Sequence, residues 1–327
     1  MALTDKLPGV WYGSKPAPLW LRALVPVYNA LRLLHRAPYA LGWRKPQHLS
    51  VPVIVVGNIT AGGTGKTPLV IALVDALRAR GHVPGVISRG YGAAAGVPRV
   101  LDASSDAATF GDEPVLIANE TGAPVAVARD RVAAGRLLLA THACDVIIAD
   151  DGLQHYPLFR NAEICVIDGA RRFGNGRLLP AGPLREPSTR LAQVDFRVCN
   201  GGTAQAGEVS MRLLGDCAVA LGDAGLRRTL ADFAGRRVHA VAGIGNPARF
   251  FAMLRAAGID ATEHAFPDHH AFSAADLEFG DDLPVLMTEK DAVKCATFAR
   301  ADFWRVPVRA ELPPQFFDEV ANRAFAR

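Results

Sequence analysis

A chain of 327 residues that is half apolar and only 21% charged can bury a core and leaves room for about two domains. Five cysteines (Cys144, Cys165, Cys199, Cys217 and Cys295) share no CxxC spacing and no histidine at ligand spacing, which argues against a disulfide framework or zinc site and for reduced core thiols. The net charge of +4 is uneven: through His48 seven basic residues face Asp5 alone, so a head of +6 precedes a body of −2, and such a head suits an anionic surface.

In residues 16–45, helical spacing puts Trp20, Leu24, Val27, Leu31 and Leu34 on one face and Arg22, Asn29, Arg32 and Arg36 on another. Its apolar stretches fall far short of the ~20 residues a spanning helix needs, and no small-residue cleavage site marks a secretory signal. An interfacial helix with aromatic anchors fits; so does an amphipathic helix packed on the next domain and kinked at Pro26. The two readings are compatible.

Val51 to Thr67 (VPVIVVGNITAGGTGKT) organises the rest. A β-branched run predicts a strand buried on both faces. It empties into a loop holding Gly57, Gly62, Gly63, Thr64 and Gly65, and Lys66-Thr67 open a helix through about Arg80. Strand, glycine loop and Lys-Thr helix start form a triphosphate cradle. The backbone can approach the phosphates, Lys66 reaches the β/γ oxygens, and the Thr67 hydroxyl can ligate Mg²⁺. One position departs from GxxxxGK[ST]: Thr60 stands where the first glycine belongs.

Val83–Ile87 predicts a second strand, ending in Ser88-Arg89-Gly90-Tyr91-Gly92, a loop placed to close on a ligand at the sheet's carboxyl edge. Asp112, before Pro114, is either a helix cap or a catalytic acid–base group. Pro124–Ala128 reads as a strand and Arg131–Thr141 as a helix. The apolar run through Ala149 ends in Asp150-Asp151, acids at a strand tip where a phosphate cradle needs a Mg²⁺ ligand. Glu163–Asp168 is a further strand. The long arginine-rich segment 169–187 then suits an anionic substrate.

Near Asp195 the composition shifts. The expected layout is a membrane-associating segment at 1–48, a P-loop core at 49–195, a two-stranded linker at 196–215 and a smaller α/β domain at 216–327. Gly243-Ile-Gly245 lacks the third Rossmann glycine and reads as a tight turn. Asp268-His269-His270 is either a surface loop or an oriented imidazole.

Together these motifs resemble the tetraacyldisaccharide 4′-kinase family of lipid A biosynthesis. The matching pieces are Gly57-Asn58 with Gly62–Pro68, Ser88–Gly92, Gly111–Pro114, Asp150–His155, Phe173–Gly176 with Leu178–Pro187, Ala242–Phe251, Asp268-His269 and Thr288–Lys294. The resemblance implies a P-loop NTPase-like α/β/α core with a smaller α/β domain. It implies transfer of the ATP γ-phosphoryl group to the 4′-hydroxyl of a tetraacyl glucosamine disaccharide 1-phosphate, with Mg²⁺, at the cytoplasmic face of a bacterial inner membrane. It implies Asp112 as base with His269 assisting. Lys66 would lie on the phosphates, and Thr67, Asp150, Asp151 and Gln154 around Mg²⁺. Arg89, Asn175, Arg185 and Glu186 would face substrate. Ala93 departs from the basic residue expected after RGYG. The implied partners are the glycolipid and, through residues 16–45, the membrane surface; neither nucleic acid nor an obligate protein partner is expected. Two competitors are a dethiobiotin-synthetase-like enzyme acting on a soluble acid and a GTPase switch or metallochaperone, although no NKxD motif is present.

Overall fold

The computed structural model describes residues 3–90, 97–223 and 225–326. Two helices come first, α1 (Leu3–Tyr12) and α2 (Leu19–Ala40). The first layer then follows in chain order: β1 (Val53–Gly57), α3 (Lys66–Arg78), β2 (Pro84–Ser88), β3 (Arg99–Val100), α4 (Ala107–Phe110), α5 (Asp112–Thr121), β4 (Val125–Val127), α6 (Arg131–Thr141), β5 (Val146–Asp150), β6 (Ala162–Asp168), β7 (Phe196–Asn200) and β8 (Val209–Leu214). A second layer holds β9 (Cys217–Ala220), β10 (Arg227–Thr229), β11 (Arg237–Ala242), α7 (Pro247–Ala256), β12 (Asp260–Ala265), β13 (Val285–Thr288), α8 (Glu289–Cys295) and β14 (Phe303–Val306). The chain then returns to the first layer with β15 (Arg309–Glu311) and α9 (Pro314–Phe325).

The first sheet runs β15-β8-β7-β6-β1-β5-β2-β4-β3. Its seven inner strands are parallel, and β3 and β15 close its edges antiparallel. β1 is buried throughout, because both faces of a parallel sheet are covered by helices. Side chains alternate across it. Ile54 and Val56 pack with Leu69, Leu73 and, from α9, Val320 on one face. Val53 and Val55 pack with Val132 and Leu138 of α6 on the other.

The second sheet runs β10-β9-β14-β13-β11-β12 over its own core around Phe233, Leu254 and Trp304. The expected linker at 196–215 is corrected here. β7 and β8 extend the first sheet in parallel from β6, and Phe316 and Val320 of α9 complete the first core. Composition marks loops, whereas parallel pairing and the chain's late return are long-range events that no local signal carries.

α2 runs unbroken through Pro26 and Pro38. Leu21 packs against Ala17 and Ala181, with Val25 alongside. The Tyr28 hydroxyl donates to the Arg185 carbonyl at 3.0 Å, and Arg36 donates to Gln193 at 2.7 Å. Trp20, Leu24, Val27, Leu31 and Leu34 stay exposed, Leu31 at 62% and Leu34 at 71%. The helix thus packs on the body with one face and leaves the predicted apolar face bare. No helix among the described residues is long and apolar enough to cross a membrane.

Candidate active site

β1, β5 and β2 lie side by side and deliver their carboxyl ends to one edge, where open α/β sheets take ligands. From β1 the chain enters the glycine loop. Gly62 and Gly65 adopt φ of +97° and +91°, a region glycine enters without Cβ strain. Lys66 and Thr67 then start α3, both buried. From β5 come Asp150 and Asp151. Lys66 Nζ lies 3.4 Å from Asp151, so the cradle and the acid pair share one site.

The two aspartates differ. Asp151 is gripped by Arg185, whose guanidinium donates to its two oxygens at 3.1 and 3.0 Å. Despite burial, Lys66 and Arg185 hold its carboxyl far below the usual range. Asp150 is fully buried. Its Oδ2 meets the Ser88 hydroxyl at 3.5 Å, and its Oδ1 has no hydrogen-bond partner. Desolvation, with the Glu113 charge adding to it, raises its pKa to about 7. An orphaned carboxylate oxygen beside a phosphate cradle fits a hard cation. Among the described residues no group of three or more His, Cys, Asp or Glu could hold a metal alone. Mg²⁺ is commonly bound through one or two carboxylates with phosphates and waters completing its shell.

The second cluster joins the two layers. α5 starts at Asp112, which occupies the first helical position after a Gly111 cap; its carboxylate accepts from the Glu113 amide at 2.9 Å. His269, at φ +61°, brings Nδ1 to 3.0 Å from Asp112 Oδ2. Lys290, on α8, lies 3.1 Å from Glu113, 3.4 Å from Asp268 and 3.7 Å from Asp112. Burial opposes the charged forms of Asp112 and His269, yet their mutual contact prevails, lowering the Asp112 pKa and raising that of His269. Glu113 connects the clusters: it pairs with Lys290 while its charge acts on Asp150 and Arg185. Neither Glu113 nor Lys290 received a role from sequence; each stood inside a quoted motif beside a more conspicuous residue.

Other expected residues are spent on the scaffold. Gln154 donates its amide to the Asn58 carbonyl at 3.0 Å and to Glu186 at 2.9 Å. Glu186 is fully buried and also accepts from Tyr156, so it braces the loop from inside. Asn175 donates to the Ala181 carbonyl at 2.8 Å, and its amide N–H reaches the Trp11 carbonyl at 2.9 Å, docking α1. Arg89 is exposed at the tip of β2, and Tyr91 to Ala93 lie outside the described residues. The turn at Gly243–Asn246 closes on the cradle so tightly that a Cβ on Gly245 would fall 2.0 Å from the Gly63 nitrogen.

Comparison with known proteins agrees with this geometry. The LpxK family profile, tetraacyldisaccharide-1-P 4′-kinase, matches residues 17–324. A tetraacyldisaccharide 4′-kinase of Xanthomonas euvesicatoria pv. vesicatoria is 55% identical over 97% of this chain and 95% of its own. That of Stenotrophomonas maltophilia is 56% identical over 97% and 96%. The crystal structure of an LpxK from Aquifex aeolicus in complex with ATP superposes with a TM-score of 0.76 at 27% identity, covering 93% of this chain and 99% of that one. The chain belongs to the tetraacyldisaccharide-1-P 4′-kinase family.

Proposed function

We propose that the chain transfers the γ-phosphoryl group of ATP to the 4′-hydroxyl of a tetraacyl glucosamine disaccharide 1-phosphate, and that it works from the membrane surface. It is an ATP-dependent lipid kinase of lipid A biosynthesis. The observation that carries the mechanism is the Asp112–His269 contact at 3.0 Å, made across the two layers and joined through Glu113 to the site of Lys66 and Asp150.

Lys66 would lie on the phosphates, and Asp150 with Thr67 would hold Mg²⁺, Asp151 adjoining. Held there, the cation would supply positive charge that offsets the charge developing during transfer. Asp112 takes the proton of the sugar hydroxyl late in transfer, because an alcohol is too weak an acid to ionise early. His269 orients that carboxylate, and Lys290 keeps the acidic cluster charge-balanced. Closure of the second layer over the cradle excludes water and limits ATP hydrolysis.

The bare face of α2 supports an interfacial role at the cytoplasmic leaflet. An acceptor with four acyl chains stays in the bilayer, each buried CH₂ being worth roughly 0.8 kcal/mol, so the enzyme comes to it. Steady-state kinetics on Asp112→Ala and His269→Ala test the assignment. A fall in kcat of about 10²–10⁴ with an unchanged KM for ATP supports acid–base duty. A matching loss of ATP binding refutes it.

A further inference from the structure

Three consecutive carbonyls of the glycine loop are each held from outside by a side chain. Asn58 Nδ2 donates to the Gly62 oxygen at 3.4 Å, Arg171 Nη2 to that of Gly63 at 2.6 Å, and Asn200 Nδ2 to that of Thr64 at 2.8 Å. A trans peptide is planar, with its C=O and the following N–H pointing in opposite directions. Holding the oxygens of Gly63 and Thr64 therefore turns the amides of Thr64 and Gly65 the other way. None of these amides donates to a backbone acceptor in the loops and turns of the described residues. Successive unspent N–H groups aimed to one side form an anion nest. Gly65 must be glycine for this arrangement, since its Cβ would lie 2.1 Å from Asn200 Nδ2.

Asn200 is buried at the end of β7. Arg171 is more widely engaged. Its Nε pairs with Asp168 at 3.0 Å, and its Nη1 donates to the Gly245 carbonyl at 2.6 Å. Asp168 in turn accepts from Asn246 at 2.9 Å and pairs with Arg249 at 2.7 Å. One guanidinium thus ties the cradle to the turn that closes on it.

We propose that Arg171 and Asn200 are positioning residues for the phosphates of ATP: they hold the loop's carbonyls outward so that its amides stay aimed inward, and Arg171 makes that order depend on the second layer being seated. The proposal rests on the glycine loop being the phosphate site. An unheld loop is free to rotate its peptide planes and must reorder when the nucleotide binds, so the cost falls on phosphate recognition and not on the nucleoside.

Calorimetric titration of ADP, with adenosine measured alongside by competition, tests both. Lys66→Ala examines the site itself; if it leaves ADP affinity intact, the phosphate assignment fails. Given a loss there, Arg171→Met and Asn200→Ala are expected to weaken ADP by about tenfold or more while adenosine stays within about twofold. Arg171→Lys, which keeps the charge but reaches one carbonyl at most, should fall between. Unchanged ADP affinity in both variants overturns the proposal, as does an equal loss for ADP and adenosine. Adenosine binding is each variant's folding control; where Arg171→Met or Asn200→Ala does not fold, Arg171→Lys and Asn200→Ser carry the same comparison.

Discussion

Replacing Asp150 with asparagine should abolish phosphoryl transfer and make the unliganded protein more stable at neutral pH. The wild-type carboxyl is fully buried with an orphaned oxygen, and its pKa rises from 3.8 to about 7. A carboxyl raised in the folded state contributes its full share below the unfolded pKa and loses stability as pH climbs toward the folded value. At about 1.36 kcal/mol per unit, the charge costs about 4 kcal/mol at pH 8. Asparagine removes that charge but brings amide hydrogens into the same recess, which costs about 1–3 kcal/mol. The net expectation is a gain of about 1–3 kcal/mol at pH 8. Urea denaturation in EDTA without nucleotide reads it directly. The wild-type midpoint should fall relative to the variant between about pH 4 and pH 7 and run parallel above. Mg²⁺ and ADP should stabilise the wild type far more than the variant. A variant less stable at pH 8, or a difference that ignores pH, would refute the reasoning.

The overlap that a Cβ on Gly245 would make with the Gly63 nitrogen makes Gly245→Ala a test of closure. Displacing the turn by about 1 Å is expected to cut kcat/KM about a hundredfold while stability falls by about 1–3 kcal/mol, read by kinetics beside thermal melts. On α2, Leu31→Asp with Leu34→Asp should lower partition onto anionic vesicles at least about a hundredfold, leaving urea stability unchanged because both side chains are exposed; unaltered cosedimentation contradicts an interfacial role. The pH–rate profile should rise above pH 6.5, His269's ordinary value, which is raised here, as loss of the imidazolium proton makes Asp112 a stronger base. With Asp112 ionised, the stability from His269 is fully present below 6.5 and fades as pH climbs through the raised value, so rate and stability should move oppositely over one window. An activity that instead falls across it refutes that protonation scheme.

Local signals carried much of this molecule. The run Val53–Val56, the glycines before Lys66 and the acids closing β5 sit where periodicity and turn chemistry put them, since each depends on neighbours a few residues away. The Asp112–His269 contact spans 157 positions; only the family resemblance suggested it. Glu186 and Asn175 show what local reading leaves out. The resemblance implies that they face substrate, and the structure pairs them with Tyr156, Gln154 and the carbonyl of Ala181. Which side of a loop a residue takes is settled by tertiary packing. Arg171 was one basic residue among several until its two carbonyl partners, Gly63 and Gly245, met in space.

The proposed reaction requires that one cleft join a metal-bound nucleotide to a lipid-anchored sugar alcohol. Its most direct test follows label from [γ-³²P]ATP with Mg²⁺ to a tetraacyl disaccharide 1-phosphate presented in mixed micelles. Label appearing at the 4′ position, lost on Asp112→Ala and on chelation of Mg²⁺, is the predicted result. An untouched glycolipid, with phosphate passing instead to a water-soluble acceptor, would contradict it.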